Sequence, residues 1–368
     1  MNLITATDRI SVIGPYYYKN DIKKMAAKFF LKQLIMRRVL LALVPCIAGS
    51  IYFFGWRCLF LVALAGAAGF TVEYIFTRRR GEPVTEAVFV TTTIFALIMP
   101  PTVPWHVVVI GAAFAVMFAK EVFGGYRYNI FNPAMVGRCF VYICFPVALT
   151  GVWAAPAQGV WGGLKQWTTA SSADAITGAT PMANLKAGKL IVAHGPAEAA
   201  SKEIPFQINE DQQINIDRAS LYKALAVGRI SGTMGVTSVI LILIGGLYLF
   251  ITRTASRSII LSLVISYVAL NQILYLFGVK PVQDALIAVL SGGFLFGAFF
   301  MATDPISAPR TAEAKIIYGI IIAIFTVVIR NFSIFNGGLM FAILLGNMFA
   351  PILDFSVRRF REIRAAKG

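Results

Sequence analysis

Apolar runs dominate the chain, and short polar clusters separate them. Stretches long enough to cross a bilayer, roughly 17 to 25 residues each, fall at 39–56, 58–77, 86–102, 104–123, 133–154, 233–252, 258–277, 284–302, 316–330 and 338–355. The pattern predicts an all-α polytopic membrane protein with about ten transmembrane helices, some of them short. One polar stretch, from about Ala155 to Ile230, divides the spans into two sets of five. The expected organisation is therefore a cytoplasmic N-terminal arm (1–38), a first set of spans (39–154), an outer, periplasmic-side segment (155–232), a second set of spans (233–355) and a basic cytoplasmic tail (356–368).

Composition agrees with this reading. The 368 residues are 58% hydrophobic and 14% charged, with a mean hydropathy of +0.74, too apolar for an ordinary soluble domain. The net charge of +16 does not point to nucleic-acid binding, because the solvated polar fold that would carry it is missing. Its distribution instead sets a topology. With the N-terminus in the cytoplasm, the inner side receives the arm from Lys19 to Arg38, Arg78 to Arg80, Lys120, Arg127, Arg253, Arg257, Arg310, Lys315 and the tail from Arg358 to Lys367. Short outer loops keep only Arg57, Lys280 and Arg330, as the positive-inside rule requires. Both termini are thus expected in the cytoplasm of a bacterial cell, with the chain in the inner membrane and the first span directing insertion. No removable signal peptide is evident in the first 37 residues.

The two sets resemble each other. Gly111 to Glu121 is similar to Gly292 to Asp304, and Asn132 to Pro146 is similar to Asn336 to Pro351, in the same order and with spacing read as comparable. Five spans is an odd number, so the second set would enter the membrane upside down, giving two inverted five-helix repeats. Several spans are interrupted by Pro or Gly, at Met99-Pro100-Pro101, Gly124-Gly125, Asn132-Pro133, Gly292-Gly293, Asp304-Pro305 and Gly337-Gly338. Lipid does not tolerate unpaired backbone, so such breaks face protein or an enclosed cavity and become candidate cofactor walls.

Glu73, Glu121, Arg138, Asn271, Asp284, Asn347 and Asp354 lie in or near apolar spans, where an unpaired charge costs about 3 kcal/mol or more. Glu121 and Arg138 are expected to pair across the glycine-rich loop. Cys46, Cys58, Cys139 and Cys144 lack the clustering of a zinc or iron–sulfur site and read as buried apolar residues, with Cys139 and Cys144 open to a half-site completed by another chain. His106 and His194 read as structural, and no metal site is expected.

In the outer segment, Asp174-Ala175-Ile176-Thr177-Gly178-Ala179-Thr180 places two hydroxyls and an acid in a short turn, with small residues around the terminal hydroxyl. The residue types alone fit an ordinary turn or helix cap equally well. The heptad resembles the flavinylation motif Asp-x-x-Ser/Thr-Gly-Ala-Thr/Ser at every position. Together with Lys120 to Phe140, Ser231 to Gly246, Phe296 to Pro309 and Met340 to Asp354, it makes the chain similar to the RnfD/NqrB family of membrane flavin subunits. RnfD belongs to the Rnf ion-translocating electron-transport complex, and NqrB to the sodium-translocating NADH:quinone reductase (Nqr).

The resemblance implies FMN joined to Thr180 through a phosphoester, with Asp174, Thr177, Gly178 and Ala179 recognised by a flavin transferase. It also implies a second, non-covalent flavin, riboflavin, in the membrane core. Gly124, Gly125, Asn132, Pro133, Asp304 and Pro305 are the expected walls for that flavin or for a quinone. The implied function is electron relay within an ion-translocating oxidoreductase, coupled to Na⁺ or H⁺ movement. The chain has no nicotinamide-binding glycine fingerprint in a strand–helix context and no iron–sulfur cysteine series. NADH or ferredoxin oxidation is thereby assigned to partner membrane, flavin and iron–sulfur subunits, with membrane lipid as the surrounding medium. Length and the compact DAITGATPMANLK segment favour the Rnf side; EVFGG, Gly137-Arg138 and LMFAILLGNMFAP lean towards the quinone reductase. A secondary transporter or channel is the rival class, since inverted repeats with broken helices also build transporters.

Overall fold

The computed structural model describes residues 29–154, 156–157, 161–165, 167, 176–177, 189–191, 203–205, 218–333 and 337–367. The architecture is all-α and polytopic. The first half contains α1 (Leu34–Phe54), α2 (Arg57–Arg80), α3 (Ala87–Leu97), α4 (Trp105–Val116) continued by a π-helical turn at Met117–Glu121, α5 (Pro133–Cys144) and a short α6 (Pro146–Thr150). After α7 (Arg218–Val227), the second half contains α8 (Val239–Ile251), α9 (Arg257–Leu276), α10 (Ala285–Leu290), and α11 (Phe294–Phe296) continued by a π turn at Gly297–Met301. It closes with α12 (Ala312–Phe332) and α13 (Gly338–Lys367). Five of these helices, α1, α2, α9, α12 and α13, are long and apolar enough to cross a membrane by length and composition.

Local sequence explains the boundaries. Helix α2 ends where Gly81 takes a left-handed φ of 70° and its N–H, with that of Glu82, returns to the Arg78 and Thr77 carbonyls. Helix α5 starts at Asn132-Pro133: the Asn132 side chain caps the N–H groups of Ala134 and Met135, and proline occupies the first turn, where no donor is needed. The expected tail boundary at 355/356 falls inside α13, which runs unbroken to Lys367. Short strands are minor: β1 (Phe30–Leu31) pairs parallel to β2 (Val84–Thr85), β3 (Val152–Trp153) pairs antiparallel to β4 (Ile176–Thr177), and β5 (Lys189–Ile191) pairs antiparallel to β6 (Glu203–Pro205).

The order of packing recurs in the two halves. In the first, α2 packs on α3 and α4, α4 on α5, and α1 on α3; in the second, α9 packs on α10 and α12, α12 on α13, and α8 on α11. Between halves, α1 meets α8 and α5 meets α13, so like positions touch each other. This corrects one of the sequence pairings. Gly111–Glu121 and Gly292–Asp304 both contain a π turn, yet they fall on the fourth unit of one half and the third of the other. A loop separates the paired stretches in the first half and all of α12 separates them in the second, so their spacing differs. Glycine, aromatic and methionine content reproduced the local π geometry, not the position.

The break after α3 is satisfied by other parts of the chain. The Leu97 and Met99 carbonyls accept from the N–H groups of Gly235 (2.7 Å) and Met234 (3.0 Å), the Ile98 carbonyl from Arg138, and those of Pro101 and Val103 from Arg57 at 2.9 and 2.8 Å. Gly235 is required at this approach, because a Cβ there would sit 2.7 Å from the Leu97 Cβ. Arg330, expected in an outer loop, instead lies buried within α12 and donates to the carbonyls of Ala288 (3.0 Å) and Ser291 (2.7 Å) beside the second break. Arg57 and Arg330 thus serve backbone that lipid would leave bare.

Candidate functional site

Four of the six expected wall residues come together where the halves meet. Asn132, Pro133, Asp304 and Pro305 line one crevice, with Val90, Phe299 and Phe300 as apolar walls and the hydroxyls of Thr91, Thr254 and Thr303 around them. The space between these walls is about 520 Å³ including its mouth. A buried polar chain fixes its floor. Asn132 donates from Nδ2 to the Met301 carbonyl (3.0 Å) and from its backbone to Asn347 Oδ1 (3.1 Å). Asn347 Nδ2 donates to the Tyr318 hydroxyl (2.8 Å) and the Ser307 carbonyl (3.2 Å). The Asp304 carboxylate accepts from the Ser307 N–H (3.2 Å) and hydroxyl (2.6 Å).

Gly124 and Gly125 do not line this crevice. They form the turn after the first π segment, at φ of 111° and 92°. A Cβ on Gly125 would lie 2.7 Å from Arg80 Nη2, so glycine there lets Arg80 reach Glu121.

The expected Glu121–Arg138 pair is not formed. Glu121 accepts from Arg80, while its sequence neighbour Lys120 donates to Glu73 and, at 2.7 Å, to the Thr85 hydroxyl. Glu73 completes its shell with the Thr85 N–H (2.8 Å) and hydroxyl (2.6 Å). Glu73, Lys120 and Glu121 are all buried, making a closed cluster of alternating charge against the π turn. Of the other in-span polar residues, Asn271 accepts from Asn331 and donates to the Tyr267 carbonyl, Asp284 accepts from the Tyr222 hydroxyl, and Asp354 takes the N–H groups of Arg310 and Thr311 at the start of α12. Cys46 and Cys58 are buried as expected, but Cys144 is exposed at the end of α5 and Cys139 half-buried. His106 is exposed at the start of α4.

A second and larger cavity, about 1260 Å³ including its mouth, lies between the two broken regions. Arg138 and Arg330 face it from opposite halves, together with Tyr142, Trp153, Ser231 and Thr237. Arg330 is committed to its neighbours, since besides the two carbonyls it donates to the Tyr267 hydroxyl at 2.7 Å. The Tyr267 ring in turn stacks on Phe294 at 3.9 Å. Arg138 and the Gly292-Gly293 and Gly337-Gly338 breaks had separate sequence signals, a charge in a span and paired glycines. Nothing in the sequence said that they share one cavity.

Of the heptad from Asp174 to Thr180, Ile176 and Thr177 form β4, with the Thr177 backbone opposite Val152. Asp174, Gly178, Ala179 and Thr180 lie outside the described residues, as does His194.

Broken helices, arginines turned onto backbone carbonyls and two cavities between similarly packed halves define a polytopic membrane protein built around internal sites. Its sequence matches the NQR2, RnfD, RnfE family over residues 30–361, and the chain belongs to that family. It is 34% identical over 318 residues to the B subunit of the Na(+)-translocating NADH-quinone reductase of Pseudoalteromonas atlantica, covering 84% of this chain and 69% of that protein. With the D subunit of the ion-translocating oxidoreductase complex of Shewanella amazonensis it shares 30% identity over 88% of this chain and 92% of that one. The equivalent D subunit of Stutzerimonas stutzeri is 32% identical, with 91% and 93% covered. Against the reductase B subunit of Pseudomonas aeruginosa the chain spans 63% of the relative's length.

Proposed function

We propose that this chain is the flavin-bearing electron-transfer subunit of an ion-translocating oxidoreductase complex, of the RnfD type. The observation that carries the reading is the heptad from Asp174 to Thr180, which offers a terminal hydroxyl preceded by glycine and alanine for FMN attachment by a flavin transferase. The lengths of the relatives support the RnfD type, since the chain spans more than nine tenths of the oxidoreductase-complex relatives and about two thirds of the quinone-reductase relatives. Identity slightly favours the NqrB type, so quinone reduction near Gly124 and Gly125 is the second reading.

The crevice at Asn132, Pro133, Asp304 and Pro305 has the chemistry for the second, non-covalent flavin. Apolar walls from Val90, Phe299 and Phe300 suit the faces of an isoalloxazine, and Thr91, Thr254 and Asp304 suit its hydrogen-bonding edge. Bound flavin supplies reversible electron uptake and release, and the protein supplies position and electrostatics. Asn132 is the group that fixes the crevice, because its side chain ties the start of α5 to the carbonyl of Met301 in the other half.

In this reading the helical units form ten crossings in two inverted repeats of an inner membrane, with both termini cytoplasmic and the 155–232 segment outside. Partner subunits oxidise the primary donor. Coupling to Na⁺ or H⁺ stores about 2.3 kcal/mol per charge moved against 100 mV. The test is co-expression of the full chain with a flavin transferase, followed by a denaturing gel viewed for flavin fluorescence. A band is expected in the wild type and none in Thr180→Ala. A dark wild-type band, or a fluorescent Thr180→Ala band, would leave a transporter or scaffold as the better reading.

A further inference from the structure

The polar segment between the halves carries large apolar side chains where it leaves the helices. Trp161, Trp167 and Leu164 are 65%, 60% and 41% exposed. The backbone that bears them is fastened to the α1–α2 turn. The Trp56 indole N–H donates to the Leu164 carbonyl (3.0 Å), the Arg57 N–H to the Trp167 carbonyl (3.0 Å), and the Ala157 N–H to the Phe53 carbonyl (2.7 Å). Gly163 allows the approach, since a Cβ there would lie 2.6 Å from the Gly55 nitrogen. The glycine faces the turn, and the large side chains are left on the outside.

The helices beneath fix the height of this patch. Helices α1 and α2 contain 21 and 24 residues. At 1.5 Å per residue they are about 32 and 36 Å long, against a hydrocarbon core of about 30 Å. Both cross the core, so the turn that joins them lies at its edge. The Trp167 ring packs on Phe60, in the first turn of α2, with 5.7 Å between centroids. Phe60 and its neighbour Leu59 are themselves exposed, as befits a helix surface that meets lipid. Lys165 holds its ammonium 5.8 Å over the Trp161 ring, which puts a cation beside the indole at headgroup height. Trp105, the first residue of α4, is exposed near the same edge. Indole rings favour this boundary, where an apolar face meets acyl chains and the N–H meets polar groups.

We propose that Trp161, Leu164 and Trp167 form a membrane-interface anchor, inserted between phospholipid headgroups and acyl chains beside the α1–α2 turn, in the outer leaflet of the topology given above. Two observations select the bilayer over a protein as the occupant. The patch runs through Phe60 into the lipid-facing side of α2, and Lys165 complements the phosphate layer in charge. The inference is independent of the flavin assignment and needs only that α1 and α2 span the membrane. Its consequence is that the 155–232 segment begins against the bilayer, so the stretch leading to β4 starts from a fixed height.

The full chain is reconstituted in nanodiscs of phosphatidylcholine brominated either near the headgroup end or near the methyl end of one acyl chain, since bromine quenches tryptophan at short range. The tryptophans are Trp56, Trp105, Trp153, Trp161 and Trp167. Subtracting the emission of Trp161→Phe or Trp167→Phe from that of the wild type isolates each anchor indole. For both, the shallow bromine is expected to quench about twofold more strongly than the deep one, with iodide in the buffer quenching weakly. Emission untouched by either lipid and open to iodide overturns the proposal. Should a Trp→Phe variant fail to fold, a nitroxide on Leu164→Cys in a cysteine-free background gives the answer. Oxygen, which concentrates in the bilayer, should relax the label more than a water-soluble nickel chelate does, and the reverse order overturns the proposal. Indoles open to iodide in the isolated chain and shielded only in the assembled complex assign the face to a water-side partner subunit, which overturns it as well.

Discussion

Lys120 and Glu121 are neighbours in sequence and approach each other at 4.0 Å, yet each has its shortest contact elsewhere, Lys120 with Glu73 and Glu121 with Arg80. The π turn that ends α4 brings both side chains into the interior, where each finds an opposite charge. Sequence reasoning found Glu121 and paired it wrongly, because it matched it with Arg138 across the glycine-rich loop. Arg138 went instead to a backbone carbonyl that a broken helix had left without a donor. Such a contact cannot be read from charges, since its acceptor is any peptide group at a break. The pairing carries a prediction. Lys120→Met leaves the buried Glu73 without its cation and should destabilise the fold by about 3–5 kcal/mol. Glu73→Gln combined with Lys120→Met should recover much of that loss, as measured by thermal unfolding in detergent. Equal melting temperatures for the single variant and wild type would refute the pairing.

At the scale of elements, apolar length located every helical unit of the two halves but misjudged where some of them stop. The run at 86–102 folds as an 11-residue helix, Ala87–Leu97, followed by a non-helical stretch through Pro104. Hydropathy measures transfer from water and takes no account of whether a peptide bond lies in a helix, so it continues across a break that protein donors satisfy. The broken third unit of the second half was legible as Gly292-Gly293, where Gly293 adopts a φ of 69°. The crevice was legible for a similar reason, since Asn132-Pro133 and Asp304-Pro305 announce helix ends in sequence. The partnership of Gly235 with Leu97 was not, because it joins positions 138 residues apart (235 − 97). Gly235→Ala should cost about 1–3 kcal/mol by crowding the Leu97 Cβ. A melting temperature equal to wild type would show that the segment relaxes freely. Arg57→Gln, which withdraws charged donors from the Pro101 and Val103 carbonyls, should lower it as well.

For the whole molecule, the topology proposed above, with both termini in the cytoplasm, rests on the charge distribution along the sequence. Single cysteines placed on a cysteine-free background test it. Lys280→Cys should react with a membrane-impermeant maleimide added to intact spheroplasts, and Arg79→Cys should react only after lysis. The reverse pattern would turn the whole topology over. The contacts that close the break after α3 also constrain how the protein is made. The Leu97 and Met99 carbonyls belong to the first half, but their donors, Gly235 and Met234, are synthesised more than 130 residues later. Until those residues leave the ribosome, the first five units have a gap in their backbone that only water or a membrane chaperone can cover. The first half is thus an unfinished object in the bilayer, and a chain terminated before Met234 should be a substrate for membrane quality control rather than a stable fragment.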